Sequence, residues 1–251
     1  MQRIGVDFGA TGIKGAVADL EKGAVVGTRH RISTPRPSTP ERVAETIAAV
    51  VEAVDGETPC RGGIGCAVPA VVIDGVVTTA ANIDPEWIGA EGRALVSAAT
   101  GRDALLLNDA DAAGLAEMRY GTGRGRSGTT VVLTLGTGIG SAVFTGDRLV
   151  PNTELGHLEM WGTSAEDHAS ARGREDLGLD WEEWVLTRLN PYLAYLEALL
   201  WPDLIIISGG ISQRPERFLP HLVSRAETVP ALLMNNAGII GAALAAAEAG
   251  R

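Results

Sequence analysis

No stretch of this sequence reaches the roughly 18 consecutive apolar residues that a membrane-crossing helix needs, so no membrane anchor is expected. The opening residues, MQRIGVDFGA, have neither a basic segment nor an apolar core of the kind that directs export, and they run straight into a strand-like pattern. Cysteine is nearly absent. Only Cys60 and Cys66 occur, within PCRGGIGCAV, without CxxC spacing and without other Cys or His nearby. A zinc site is therefore not expected, and two reduced core thiols fit a cytoplasmic protein. Positive charge is in deficit: 21 Lys and Arg against 31 Asp and Glu give a net charge of −10 and a pI near 4.9. That balance excludes nonspecific binding to nucleic acid and attraction to an anionic membrane surface. It leaves room for a phosphorylated small ligand, because a local cluster of amides and cations binds phosphate even in an acidic protein. Two phosphate fingerprints are also missing. GxxxxGK[ST] does not occur. The first glycine-rich turn leads into a strand with no acidic residue placed for a ribose, which excludes dinucleotide binding of the GxGxxG type.

What is present is a chain of 251 residues, 45% hydrophobic, long enough for one large domain or two small ones. Apolar alternation at 3–7, the glycines Gly9, Gly12 and Gly15, and resumed apolar residues at 16–18 read as strand, tight turn, strand. A third strand is expected over 24–29, then a Pro-rich loop. Thr39-Pro40-Glu41-Arg42 is a helix start, with proline in the first turn and Ile47, Val50, Val51 and Val54 on one side. Strands are expected at 62–68 and 104–107, a hairpin at 71–77 around Asp74-Gly75, and helices at 93–99 and 110–119. A second glycine hairpin occupies 129–150. There LTLGTGIGSAVFTGDRLV echoes VDFGATGIKGAVADLEKG, as expected of two copies of one β-hairpin unit. The longest helix is expected over 177–200, a buried strand over 203–208, and further helices over 215–225 and 237–249. Glycine-ended strands alternating with helices make this an α/β protein.

The chemistry-bearing residues cluster at the turns. In Asp7-x-Gly9-x-Thr11-x-x-Lys14 a carboxylate leaves a strand end, Gly9 and Gly12 let the backbone approach a phosphate, and Thr11 and Lys14 can donate to its oxygens. The plain alternative is an ordinary hairpin with a solvated lysine. The run Leu135-Gly136-Thr137-Gly138-Ile139-Gly140 is a second candidate phosphate cradle. In LNDADAAG, polar residues lie between a strand and a helix and a carboxylate there can accept a sugar hydroxyl proton, with helix capping by Asp109 or Asp111 as the competing role. NTELGHLE alternates hydrogen-bonding side chains, which suits hydroxyl groups that both donate and accept.

DFGATGIKG, LNDADAAGLAE, LTLGTGIGSA, NTELGHLE and ISGGIS, in this order and across essentially the whole chain, resemble the ROK family of sugar kinases. AANID, WIG, VPNTELGHLE and WEEW resemble its polyphosphate-glucokinase branch. The resemblance implies two RNase-H-like (actin/hexokinase-like) domains around a central cleft, 1–108 with 236–251 and 109–235. It implies Asp109 as the general base on a glucose 6-hydroxyl and Asn82, Asp84, Asn108, Glu154, His157 and Glu159 around the hexose. Asp7, Gly9, Thr11, Gly12 and Lys14 would serve one donor-phosphate motif and Gly136, Thr137 and Gly138 the other, with Gly209 and Gly210 near the far end of the donor. The implied cofactor is Mg2+, with Asp7 as its protein ligand, and the implied donor is polyphosphate, or ATP. Arg124, Arg126, Arg172 and Arg174 are candidates for a cationic path along the polymer. Many family members carry a Cys-rich zinc motif after the His, whereas MWGTSAEDHASARGRED has no cysteine. A cytoplasmic homodimer is implied. The alternatives are an ATP-only hexokinase acting on glucose, mannose or an N-acetylhexosamine, and a non-catalytic sugar sensor. A DNA-binding repressor of the family would carry an N-terminal helix-turn-helix, for which no room is expected before Ile4.

Overall fold

The first glycine turn joins strands β1 (Gln2–Gly9) and β2 (Gly12–Asp19), and β3 (Ala24–Ile32) extends the antiparallel set, three residues longer than its apolar pattern suggests. This computed structural model describes residues 1–250. Their packing divides into two units, residues 1–116 with 236–250, and residues 117–235.

In the first unit, helix α1 (Pro40–Glu57) starts where Thr39, in extended conformation, precedes proline, and it buries Val43, Ile47, Val50, Val51 and Val54. Strand β4 (Ile64–Val68) runs parallel to β1. The short strands β5 (Val72–Ile73) and β6 (Val76–Val77) meet at Asp74 and Gly75, both at positive φ, as a two-residue hairpin turn requires. Helix α2 (Gly92–Thr100) closes on Gly101 in the left-handed region, and β7 (Ala104–Asn108) joins β4 in parallel and leads into α3 (Asp109–Tyr120). The sheet order is β3-β2-β1-β4-β7. One face packs on α1 and α2 through Ile4, Val6, Phe8 and Ile13, with Phe8 lying 5.9 Å from the buried Trp87 ring. The other face takes the C-terminal helix (Ala237–Ala249), which approaches so closely that a Cβ at Gly5 would run into the Ile239 carbonyl and one at Gly65 into that of Ala242.

The second unit repeats this plan. Strands β8 (Thr129–Leu135), β9 (Ile139–Thr145) and β10 (Arg148–Val150) are antiparallel. A small ribbon, β11 (Glu159–Met160) and β12 (Thr163–Ser164), precedes the short helices α4 (Glu166–Ala169) and α5 (Ala171–Asp176). Helix α6 (Trp181–Trp184) passes through a π turn at Val185–Leu189 into α7 (Asn190–Leu200). Strands β13 (Leu204–Ser208) and β14 (Glu227–Pro230) then add in parallel, giving the order β10-β9-β8-β13-β14. The echo between the two glycine segments thus corresponds to the same strand topology in both sheets.

Two helix expectations need correction. The long helix starts at Trp181 rather than 177, because Gly178 takes a positive φ and Asp180 caps the start by accepting the Glu183 amide at 2.8 Å. The π turn accommodates the five-residue step from Trp184 to Leu189, so both stay buried. Residues 215–225 form only two 3-10 turns, Pro215–Arg217 and Leu219–His221. Pro220 lacks an amide and disfavours helical angles at Leu219, so no longer helix can propagate. Among the described residues no helix is long and apolar enough to cross a membrane.

Candidate active site

Strands β1, β4 and β7 are mutually parallel, so their C-terminal ends share one edge of the first sheet, the edge at which open α/β sheets bind ligands. Asp7, Ala67 and Leu107 stand in register across it, and Asp109 follows directly after β7. The lateral offset from β1 to β7 is two strand spacings, about 10 Å.

At the β1 end, Gly9 pairs with Gly12 and closes the turn at Ala10 and Thr11. Asp7 and Lys14 are cross-strand partners, and Lys14 Nζ lies 3.2 Å from Asp7 Oδ2, both side chains mostly buried. The turn is held from two sides. Thr34 Oγ1 donates to the Gly9 carbonyl at 2.6 Å, and Arg31 Nη2 donates to the Thr11 carbonyl at 2.8 Å.

At the β7 end Asn108 caps the start of the helix. Its Oδ1 accepts the amides of Ala110 at 2.9 Å and Asp111 at 3.1 Å, while Nδ2 donates to the Ala70 carbonyl at 3.2 Å. Capping is thereby done by a buried neutral amide, and the half-buried Asp109 stands at the positive start of α3. Asp111 is buried. Asp84 serves the local fold: its Oδ1 accepts the Glu86 amide at 3.1 Å, its amide donates to Ser38 Oγ at 3.2 Å, and Asn82 is exposed nearby.

In the second unit the β8–β9 turn carries Gly136, Thr137 and Gly138, with the Gly136 amide donating to the Gly138 carbonyl at 3.0 Å. The start of α5 braces it. The Arg172 amide donates to the Gly136 carbonyl at 3.0 Å, and Ser170 Oγ, which caps α5 by accepting the Gly173 amide at 2.9 Å, donates to the Thr137 carbonyl at 3.4 Å. Gly209 sits beside this turn at the end of β13. Its φ of 88° and the Leu135 carbonyl leave no space for a side chain. The amides of 136–138 and Gly209-Gly210 therefore lie at one end of the β8/β13 pair.

Beside that turn stands a polar group that the sequence reading captured only in part. His157 Nε2 is 3.6 Å from Glu166 Oε1, and Glu166 Oε2 accepts the Ile139 amide at 3.0 Å. Burial pushes the Glu154 carboxyl above the usual range, with His157 opposing the rise and Glu166 adding to it. Ser141 Oγ accepts the Leu155 amide at 3.0 Å and donates to the Thr153 carbonyl at 2.6 Å, which fixes the loop. Glu159, assigned to the hexose by motif position, is exposed on β11 opposite Ser164. The carboxylate at His157 is Glu166. The signal available for it is the Trp161-Gly162 turn, both residues at positive φ, which folds the chain back so that the residues after Ser164 return toward His157.

A family model for the ROK family matches residues 3–176. The chain belongs to the ROK family. It is 46% identical over 242 residues to the polyphosphate glucokinase of Mycobacterium tuberculosis, covering 96% of this chain and 89% of the relative. Its structure is similar to an inorganic polyphosphate/ATP-glucomannokinase from Arthrobacter sp. strain KM, with a TM-score of 0.95, 48% identity and 99% of both chains covered. A ROK hexokinase from Thermus thermophilus, 27% identical, shares the fold at a TM-score of 0.74, covering 100% of this chain and 99% of that one.

Among the four arginines proposed for a polyphosphate path, three are engaged locally in this ROK-family chain. Arg126 makes two 2.7 Å bonds to Glu227, Arg172 pairs with Asp176 at 2.9 Å, and Arg174 stacks 4.5 Å over Trp181 while donating to the Leu179 carbonyl. Arg124 is exposed.

Proposed function

We propose that this chain is a glucokinase that moves the terminal phosphoryl group of inorganic polyphosphate, with ATP as a second donor, onto the 6-hydroxyl of glucose. The names of the similar proteins support the donor and the sugar. The observation that carries the chemistry is the placement at β7: Asn108 caps α3, and the half-buried Asp109 follows at the C-terminal edge of the parallel strands, at the start of that helix.

In this reading Asp109 takes the proton of the 6-hydroxyl as the oxygen attacks the terminal phosphorus in line. The bond to the next phosphate breaks, giving glucose 6-phosphate and a polymer one unit shorter. Glu154, His157 and Glu166 bind sugar hydroxyls, with Glu166 holding the imidazole in place. Lys14 and the amides of the two glycine turns stabilise charge on the moving group. Asp7 suits Mg2+: it is one carboxylate at a strand end, and Mg2+ commonly takes one or two carboxylates together with substrate phosphates. Bound there with the donor, the cation would neutralise phosphate charge. The two similar sheets are read as two RNase-H-like domains, and the buried thiols Cys60 and Cys66 support a cytoplasmic setting. Assembly as a homodimer completes the proposal.

The test is glucose 6-phosphate formation by the purified protein with glucose and Mg2+, with polyphosphate and ATP supplied in parallel. Turnover with polyphosphate sustains the reading. Turnover with ATP alone removes the donor assignment, and no turnover with either removes the enzyme.

A further inference from the structure

We infer that Arg31 is a donor-binding residue whose guanidinium holds a phosphate of the polymer other than the one transferred. This rests on reading the β1–β2 turn as a donor cradle. It moves the polymer's cationic contact from the loop arginines to β3.

Asp7, Lys14 and Arg31 are successive cross-strand partners on β1, β2 and β3, so their side chains share one face of the sheet. Like charges directly opposite each other on neighbouring strands repel. Asp7 offsets the charge of Lys14 at 3.2 Å, whereas among the described residues no carboxylate lies within ion-pair distance of Arg31. Its guanidinium instead lies over the turn, donating to the Thr11 carbonyl at 2.8 Å. Gly12 makes this possible, since a Cβ there would be 2.6 Å from Arg31 Nη2. A guanidinium has five N–H donors. With one used on a carbonyl, Arg31 presents an unneutralised fork beside the residues that meet the donor, in the geometry that suits bidentate contact with phosphate oxygens. A polyanion carries charge on every unit, so its binding gains from a cation next to the one that serves the transferred group. Arg126 and Arg172 are less suited, because each already holds a carboxylate.

The experiment compares wild type with Arg31→Gln and Arg31→Lys. It reads KM for polyphosphate, KM for glucose, the melting temperature without ligands, and tripolyphosphate affinity by calorimetry. Arg31→Gln is expected to raise the polyphosphate KM about tenfold and weaken tripolyphosphate binding by a similar factor. The glucose KM should change by no more than about twofold. Arg31→Lys should recover part of the loss, since it restores charge without the fork. Unchanged donor parameters in Arg31→Gln overturn the inference. So does a fall in melting temperature with equal losses for glucose and donor, which would make Arg31 a prop for the Thr11 turn. If the wild type proves to use ATP alone, the polyphosphate reading falls by itself. Tripolyphosphate affinity then decides Arg31: about tenfold weaker in the variant sustains it as a phosphate contact, unchanged overturns it.

Discussion

Nε2 of His157 stands 3.6 Å from Oε1 of Glu166, and the other oxygen of that carboxylate accepts the amide of Ile139 at 3.0 Å. One side chain thus ties the His157 loop to the root of the glycine turn. Glu166→Ala should release both. The lost charge-assisted bond to a mostly buried carboxylate is worth about 2 kcal/mol of stability, and the glucose KM should rise while donor KM moves less. Steady-state kinetics with each substrate varied in turn check this. A donor KM that rises as much as the glucose KM would show that the glycine turn, more than the histidine, depends on Glu166.

Asp109→Asn and Asn108→Ala separate chemistry from support. Asp109→Asn keeps the shape and removes the proposed base, so kcat should fall about 1,000-fold with glucose binding nearly intact. Asn108→Ala removes the cap of α3 and leaves the Ala70 carbonyl without its donor, which should cost about 2 kcal/mol in urea unfolding. Near-normal turnover in Asp109→Asn would reject it as the base.

Glu154 gives a pH signature. Its carboxyl is raised in the folded protein, chiefly by burial, so the native state binds that proton more tightly than the unfolded chain. The associated stability is present below the ordinary carboxylate value and is lost as pH rises through the raised one. Glu154→Gln has no such charge to bury. Its melting temperature relative to wild type should therefore be more favourable at pH 7 than at pH 4, while its glucose KM rises. A pH-independent difference in thermal melts would remove the buried carboxylate from the account.

Gly65→Ala probes the contact between β4 and the C-terminal helix, where the new methyl meets the Ala242 carbonyl. Backbone cannot yield as a flexible side chain can, and about 3 kcal/mol of destabilisation is expected in chemical denaturation. A loss below about 1 kcal/mol would mean that the helix can shift on the sheet.

Much of this was readable where a local signal and its tertiary use coincide. The turn at Gly9–Gly12, the hairpin at Asp74-Gly75 and the helix at 237–249 follow from glycine placement and apolar runs, and each forms where those signals put it. The misses arise where local signals compete. Leu219, Leu222 and Val223 suggest a helix face, but Pro220 cannot supply its amide. Asn108 is not singled out as a cap by the sequence, because what fixes it is the Ala70 carbonyl, 38 residues away in the chain, which holds the Asn108 amide in place. Glu166 had no motif of its own. Its role depends on a two-residue turn returning the chain to His157, a relation between segments that neither segment displays alone.

The C-terminal helix also imposes an order in time. The unit that bears Asp7 and Asp109 is assembled from two stretches of chain separated by all of residues 117–235. During synthesis, β1 and β4 leave the ribosome long before the helix that covers Gly5 and Gly65 exists. Residues 117–235 are contiguous and can pack as soon as they emerge. Residues 117–235 can therefore be complete while the sheet of the first unit is still open, and that sheet is covered only once residues 237–249 have been made and docked.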